Sequence, residues 1–180
     1  MQVSSSRSEL GPACAVRRAV AGLAATVLSV AALAHGDAPH NNELPAAWDF
    51  TLPSLDGKRF VQVSELRGPV LVNFWGRDCP PCVAELPRLQ TFARDNPAWT
   101  VLLVATDAPA DASAFLEQHG ITLQSLRGGA RAGALMRASG NRHGVLPFTL
   151  ALRAGKLCQA RVGEVSASDL AATAAHCPAP

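Results

Sequence analysis

The sequence predicts an α/β fold, a mixed central sheet flanked by helices with a short β-hairpin extension at its N-terminal side. Three observations predict it. Apolar runs of strand length alternate with segments of helical period from Val70 to Ser139. Two further strand signals, Phe148–Leu152 and Lys156–Val162, are joined at Ala154-Gly155 and followed by a last helical segment. A weaker pair of strand signals flanks Asp56-Gly57 near the start. With 180 residues, 48% of them hydrophobic, the chain is long enough for one domain with a full apolar core, and it shows no internal repeat.

Residues 1–34 have a composition of their own. Arg7, Arg17 and Arg18 supply positive charge, a weakly apolar run extends from Ala19 to Ala34, and Ala32-Leu33-Ala34 has the form of a small-residue cleavage site. The segment reads as a secretory signal peptide, with the mature chain starting at His35. The alternative is a membrane anchor through residues 19–34, but that run is alanine-rich and short against the ~20 apolar residues a bilayer requires. Removing it leaves basic and acidic residues equal in number, so no basic stripe supports nucleic-acid binding. Cys14 is lost as well. Cys79, Cys82, Cys158 and Cys177 remain, and an oxidising compartment lets them form two pairs.

Residues 35–47 are polar and aperiodic, a flexible leader in which His35 and His40 are bystanders rather than metal ligands. The domain spans 48–177. Phe50-Thr51-Leu52 and Arg59-Phe60-Val61 form the hairpin, and Ser64–Gly68 is a helical turn closed by glycine. Val70–Trp75 is nearly all apolar, as a central strand covered on both faces must be. Next, Cys82, Leu86, Leu89 and Ala93 share one stripe of a helix that runs to Asp95 and that Pro87 should kink. Trp99–Ala105 reads as a buried strand, Asp111–His119 as a helix, Ile121–Leu126 as a short strand and Ala130–Ser139 as a helix. After the closing hairpin, Ser166–His176 is a helix with a Ser166…Asp169 capping pattern.

The chemistry lies in Cys79-Pro80-Pro81-Cys82, where the central strand turns into a helix. Two cysteines at this spacing sit in one helical turn and can close a small disulfide ring. Cys79, exposed at the helix start, is favoured as thiolate by unpaired N–H groups and the helix dipole. Cys82, on the apolar stripe, attacks the mixed disulfide from within. Pro80 is tolerated because the first-turn N–H groups have no helical partner. A Cys-x-x-Cys is also half of a zinc site, but no second pair with ligand spacing exists.

Asn73-Phe74-Trp75-Gly76 followed by Cys79-Pro80-Pro81-Cys82-Val83-Ala84-Glu85-Leu86-Pro87 resembles the TlpA/ResA-type periplasmic thioredoxins. The likeness covers about Trp48 to Ala175 and implies a thioredoxin-like fold. It extends to Gly144-Val145-Leu146-Pro147, where the family places a cis-proline loop beside the dithiol. Pro147 is then the cis residue, and Leu146 the edge on which a target segment pairs. Asn73 stands where many thioredoxins bury an acid, so the proton of the deeper thiol must move through water or another group. Glu85 matches the family's glutamate and is the candidate, although a helical glutamate is by default a solvated one. Trp75 packs near the dithiol. The chain departs from the family at Arg77-Asp78, where tryptophan commonly precedes the first cysteine. Asp78 opposes thiolate formation at Cys79, and Arg77 partly compensates. His143, ahead of the loop, reads as a surface residue.

The resemblance implies a periplasmic thiol-disulfide oxidoreductase acting as a reductant of disulfides in exported proteins, of the cytochrome c maturation or copper-site assembly type. It further implies a monomer drawing electrons from a membrane thiol transporter of DsbD or CcdA type, with no organic cofactor or metal. One alternative is an oxidant that donates its disulfide, as DsbA does. Another is a copper-binding metallochaperone, since thiolates select Cu(I); the related copper-delivery family has three residues between its cysteines, and this chain has two. A peroxidase of the peroxiredoxin type needs threonine three residues before the reactive cysteine, a position occupied by Gly76.

Cys158 and Cys177 are expected to form a separate structural disulfide. Strand alternation puts Cys158, Ala160 and Val162 on one apolar face, with Gln159 and Arg161 on the other. The helix after the turn at Gly163–Val165 returns along the apolar face. A strand path of ~17 Å out and a helix path of ~14 Å back end near the same edge. The alternative is a buried thiol at Cys158 and a frayed one at Cys177.

Overall fold

The computed structural model describes residues 48–177. The expected signal peptide (1–34) and leader (35–47), with Cys14, His35 and His40, lie outside the described residues. Strands β1 (Thr51–Pro53) and β2 (Phe60–Gln62) form an antiparallel hairpin, followed by one 3-10 turn at Val63–Glu65. Then come β3 (Pro69–Trp75), α1 (Pro80–Asp95), β4 (Thr100–Ala105), α2 (Pro109–Gln118), β5 (Gln124–Arg127), α3 (Gly129–Ala138), β6 (Phe148–Arg153), β7 (Lys156–Val162) and α4 (Ala167–His176).

The five-stranded sheet has the order β5-β4-β3-β6-β7. β3 runs parallel to β4 and antiparallel to β6, so the sheet is mixed and the strand that leads into the dithiol lies at its centre. Every residue of β3 is buried. Alternate side chains serve opposite layers: Leu71 and Trp75 pack with α1, α2 and α4, whereas Val70, Val72 and Phe74 pack with the hairpin and α3. Helix α1 runs from Pro80 to Asp95 with Pro87 inside it. Helix α4 starts with a reciprocal cap, Ser166 Oγ accepting from the Asp169 N–H at 3.1 Å and Asp169 Oδ2 from the Ser166 N–H at 2.8 Å.

Two sequence expectations are corrected. β5 begins at Gln124 and not at Ile121, because Ile121 belongs to the end of α2. Gly120 is left-handed at φ 65. Its N–H donates to Glu117 O at 3.1 Å, and the Ile121 N–H donates to Leu116 O at 2.9 Å. This paired closure brings Ile121 and Leu116 into the same cluster, so the apolar residue that looked like a strand start is the hydrophobic seal of a helix stop.

The second correction concerns β7. Its pairing with β6 shifts register: Ala151 faces Gln159 while Leu152 faces Leu157, so Cys158 is an extra residue, a β-bulge. The bulge turns the rest of the strand over. Gln159 and Arg161 meet α4, with Thr173 Oγ1 donating to Gln159 Oε1 at 3.0 Å and Arg161 reaching Asp169 at 2.9 Å. Ala160 and Val162, expected on the covered face, are exposed. Cys158 itself still packs into the layer beneath α4 and is bonded to Cys177, their Cα atoms 5.9 Å apart.

Candidate active site

Cys79 is the N-cap residue of α1. Its extended backbone (φ −112°, ψ 96°) ends the strand connection, and Pro80 and Pro81 supply the first helical positions with their φ already set. The Cys82 N–H points at Cys79 Sγ over 3.3 Å, and the Cys79 N–H donates to Gly76 O at 3.2 Å. Cys79 and Cys82 form a disulfide with Cα atoms 5.2 Å apart. Cys79 is partly buried rather than fully exposed, and Cys82 is completely buried.

The two prolines have a cost at this sulfur. Neither carries an N–H, so of the first three helical positions only Cys82 has a backbone donor to offer. Asp78, with a side chain 89% exposed, adds negative charge next door. Its neighbour Arg77 is shared among three carboxylates, its guanidinium 3.8 Å from Asp78, 3.9 Å from Asp107 and 3.4 Å from Asp111, and its backbone N–H donates to Asp107 at 2.8 Å. Thr106 Oγ1 donates to Trp75 O at 3.0 Å, so the loop after β4 clamps the turn before the dithiol. Gly76 is required by that clamp: a Cβ there would stand 2.8 Å from Thr106 Oγ1.

Glu85, one turn beyond Cys82 on α1, is fully buried, which corrects the solvated default for a helical glutamate. Its Oε1 accepts from Asn73 Nδ2 and its Oε2 from the Val165 N–H, both at 2.7 Å. Burial pushes its carboxyl above the ordinary glutamate range, and these two hydrogen bonds only partly offset the desolvation. Asn73 Nδ2 also donates to Thr149 Oγ1 at 3.0 Å, while Asn73 Oδ1 has no partner among the described residues. Asn73, Glu85 and Thr149 thus make a buried polar group in the layer that holds Cys82.

Trp75 is buried in that same layer, its ring 5.6 Å from Phe115. The Leu146–Pro147 peptide is cis, and Leu146 lies beside the dithiol turn: the same Cβ built on Gly76 would stand 3.6 Å from Leu146 Cδ1. His143 is exposed. The candidate residues Asn73, Trp75, Cys79, Pro80, Pro81, Cys82, Glu85, Leu146 and Pro147 therefore gather around one end of β3, whereas Cys158–Cys177 lies elsewhere, between the edge strand and the end of α4. Sequence reasoning missed Asn141. Its signal, Gly140-Asn141 closing α3, is a helix stop and carries no mark of chemistry by itself.

A five-stranded mixed sheet in this order, with a Cys-x-x-Cys pair capping the helix after its central strand and a cis-proline beside it, defines a thioredoxin-like fold with a dithiol site. Residues 45–152 match the AhpC/TSA family, and the chain belongs to that family. It is 38% identical over 86 residues to a thiol:disulfide interchange protein, a DsbE homolog from Paracoccus denitrificans, covering 47% of this chain and 45% of that protein. Against the thiol-disulfide oxidoreductase ResA of Halalkalibacterium halodurans, identity is 30% over 80 residues, or 42% of this chain and 45% of ResA. The matches thus span just under half the length of these curated relatives. Among solved structures, a secreted Mycobacterium tuberculosis disulfide oxidoreductase homologous to Escherichia coli DsbE superposes with a TM-score of 0.58 at 25% identity, covering 70% of this chain and 94% of that one. Among the described residues, no helix is long and apolar enough to cross a membrane.

Proposed function

We propose that the chain is an exported, periplasmic thiol-disulfide oxidoreductase that reduces disulfides in exported proteins. The carrying observation is Cys79 at the start of α1, its sulfur facing the Cys82 N–H, with Cys82 buried beneath it. In the reduced protein, the Cys79 thiolate attacks one sulfur of a target disulfide. A Cys79–target bond forms, and the second target sulfur leaves as thiolate and takes a proton. Cys82 then gives up its proton, for which buried Glu85 is the nearest candidate acceptor on α1, and attacks Cys79. The Cys79–Cys82 disulfide forms, the target leaves with its second thiol, and two electrons have moved from chain to target. Leu146 and cis-Pro147 offer the backbone edge on which the target segment lies.

The surroundings of the Cys79 sulfur support this direction. A strong oxidant has its reduced form stabilised, and here a single backbone donor and an adjacent carboxylate give Cys79 little such help. The secreted relative supports export, and the relatives named thiol:disulfide interchange protein and thiol-disulfide oxidoreductase support exchange with disulfides. Targets of the cytochrome c maturation or copper-site assembly type are what the resemblance to TlpA/ResA-type thioredoxins implies. In this reading the chain works as a monomer, takes electrons from a membrane thiol transporter of DsbD or CcdA type and uses no cofactor beyond its own dithiol. A redox titration against glutathione tests the direction: a potential near the ~−270 mV of thioredoxin supports the reductant, and one near the ~−120 mV of DsbA supports a disulfide-donating oxidant instead.

A further inference from the structure

The turn that presents Leu146 is held from behind by Asn141. Helix α3 stops at Gly140, left-handed at φ 94, whose N–H donates to Arg137 O at 3.1 Å while the Asn141 N–H donates to Met136 O at 2.9 Å. The closure seats Asn141 immediately beyond the helix, 3% exposed. From there its carboxamide bonds the backbone of Val145 twice: Oδ1 accepts the Val145 N–H at 3.0 Å, and Nδ2 donates to Val145 O at 2.7 Å. The amide orientation is fixed by this pattern, because turning it over would set donor against donor. The Gly144 N–H donates to Asn141 O at 3.1 Å and completes the clamp.

The consequence lies one residue further on. Val145 has both backbone groups engaged, whereas neither the N–H nor the C=O of Leu146 has a partner among the described residues. The backbone edge open to a target beside Cys79 is therefore one residue long. We propose that Asn141 is a positioning residue for target docking: it fixes the Val145–Pro147 backbone so that Leu146 alone pairs with the target segment, which sets the register that brings the target sulfur onto Cys79. This rests on the exchange reading above.

The test compares wild type, Asn141→Ala and Asn141→Asp on two probes: a short peptide closed by one disulfide, and hydroxyethyl disulfide, which has no backbone to pair. Losing the clamp forfeits about one to two hydrogen bonds' worth of ordering, so the ratio of peptide to hydroxyethyl kcat/KM should fall about tenfold in Asn141→Ala, through KM. Asn141→Asp keeps the acceptor for the Val145 N–H and should fall between the two. A peptide N-methylated beside its cysteine should lose a similar factor with wild type and a smaller factor with Asn141→Asp, which carries the test should Asn141→Ala fail to fold. An unchanged ratio, or N-methyl and Asn141 losses that multiply independently, overturns the proposal. Wild type that reduces neither probe overturns the exchange reading, and this proposal with it.

Discussion

The two disulfides have nearly the same span, with Cα separations of 5.2 and 5.9 Å, and yet they do opposite things to the chain. Cys79–Cys82 joins residues three apart inside one helical turn, so opening it asks almost nothing of the rest of the fold. Cys158–Cys177 joins residues nineteen apart, the edge strand and the end of the last helix, with Cys177 1% exposed. Local geometry does not separate a working bond from a staple. What separates them is how much chain the bond constrains and whether a thiolate can reach it.

The comparison predicts its largest effect in stability. Replacing Cys158 and Cys177 together by Ser should cost about 3 kcal/mol in urea unfolding, because a loop of this length is released in the unfolded chain; the same change at Cys79 and Cys82 should cost about 2 kcal/mol or less. Equal losses would mean that loop length does not govern either bond. Reactivity gives the next effect: mild reduction should expose two thiols, with Cys79 alkylated much faster than Cys82, and Cys82→Ser should trap targets through Cys79. Trapping by Cys79→Ser through Cys82 would reverse the assigned roles.

Glu85 gives a smaller effect with a definite sign. Since burial lifts its carboxyl above the ordinary glutamate range, the folded chain keeps this proton to a higher pH than the unfolded chain does. Its contribution to stability therefore falls as pH rises from the ordinary value to the raised one, and levels off beyond. Glu85→Gln should remove that slope from urea midpoints compared with wild type. The smallest effect belongs to Asp78→Asn, which should speed Cys79 alkylation by about twofold at low salt and less at high salt, as expected for an exposed charge.

Much of this was legible in the sequence because strand and helix periods are local. β3, β4, β6 and α1 to α4 fall within a few residues of their sequence readings, and the dithiol stands at the strand-to-helix junction that its motif implied. Two of the failures, Glu85 and β7, share a cause: each depended on a contact between distant segments. Glu85 looked solvated because Asn73 and the Val165 N–H, which bury it, come from other elements. The face of β7 was misread because a bulge cannot be seen without the partner strand, although the pairing of Cys158 with Cys177 survives since the bulged residue itself faces α4. Ile121 and Asn141 occupy the same place after a left-handed glycine. One seals its helix with an apolar side chain, and the other turns a polar one back onto the chain, so a single motif serves packing in one case and presentation in the other.

The bulge at Cys158 also shapes the outer border of the sheet. β7 is an outer strand of the sheet, and a regular outer strand offers a continuous row of backbone groups onto which another molecule can add. Here the row is interrupted by the extra residue and flanked by Lys156 and exposed Arg161, while the opposite border is shielded by Ser54 bridging to Leu126. Both borders of the sheet thus carry features that disfavour the addition of a further strand.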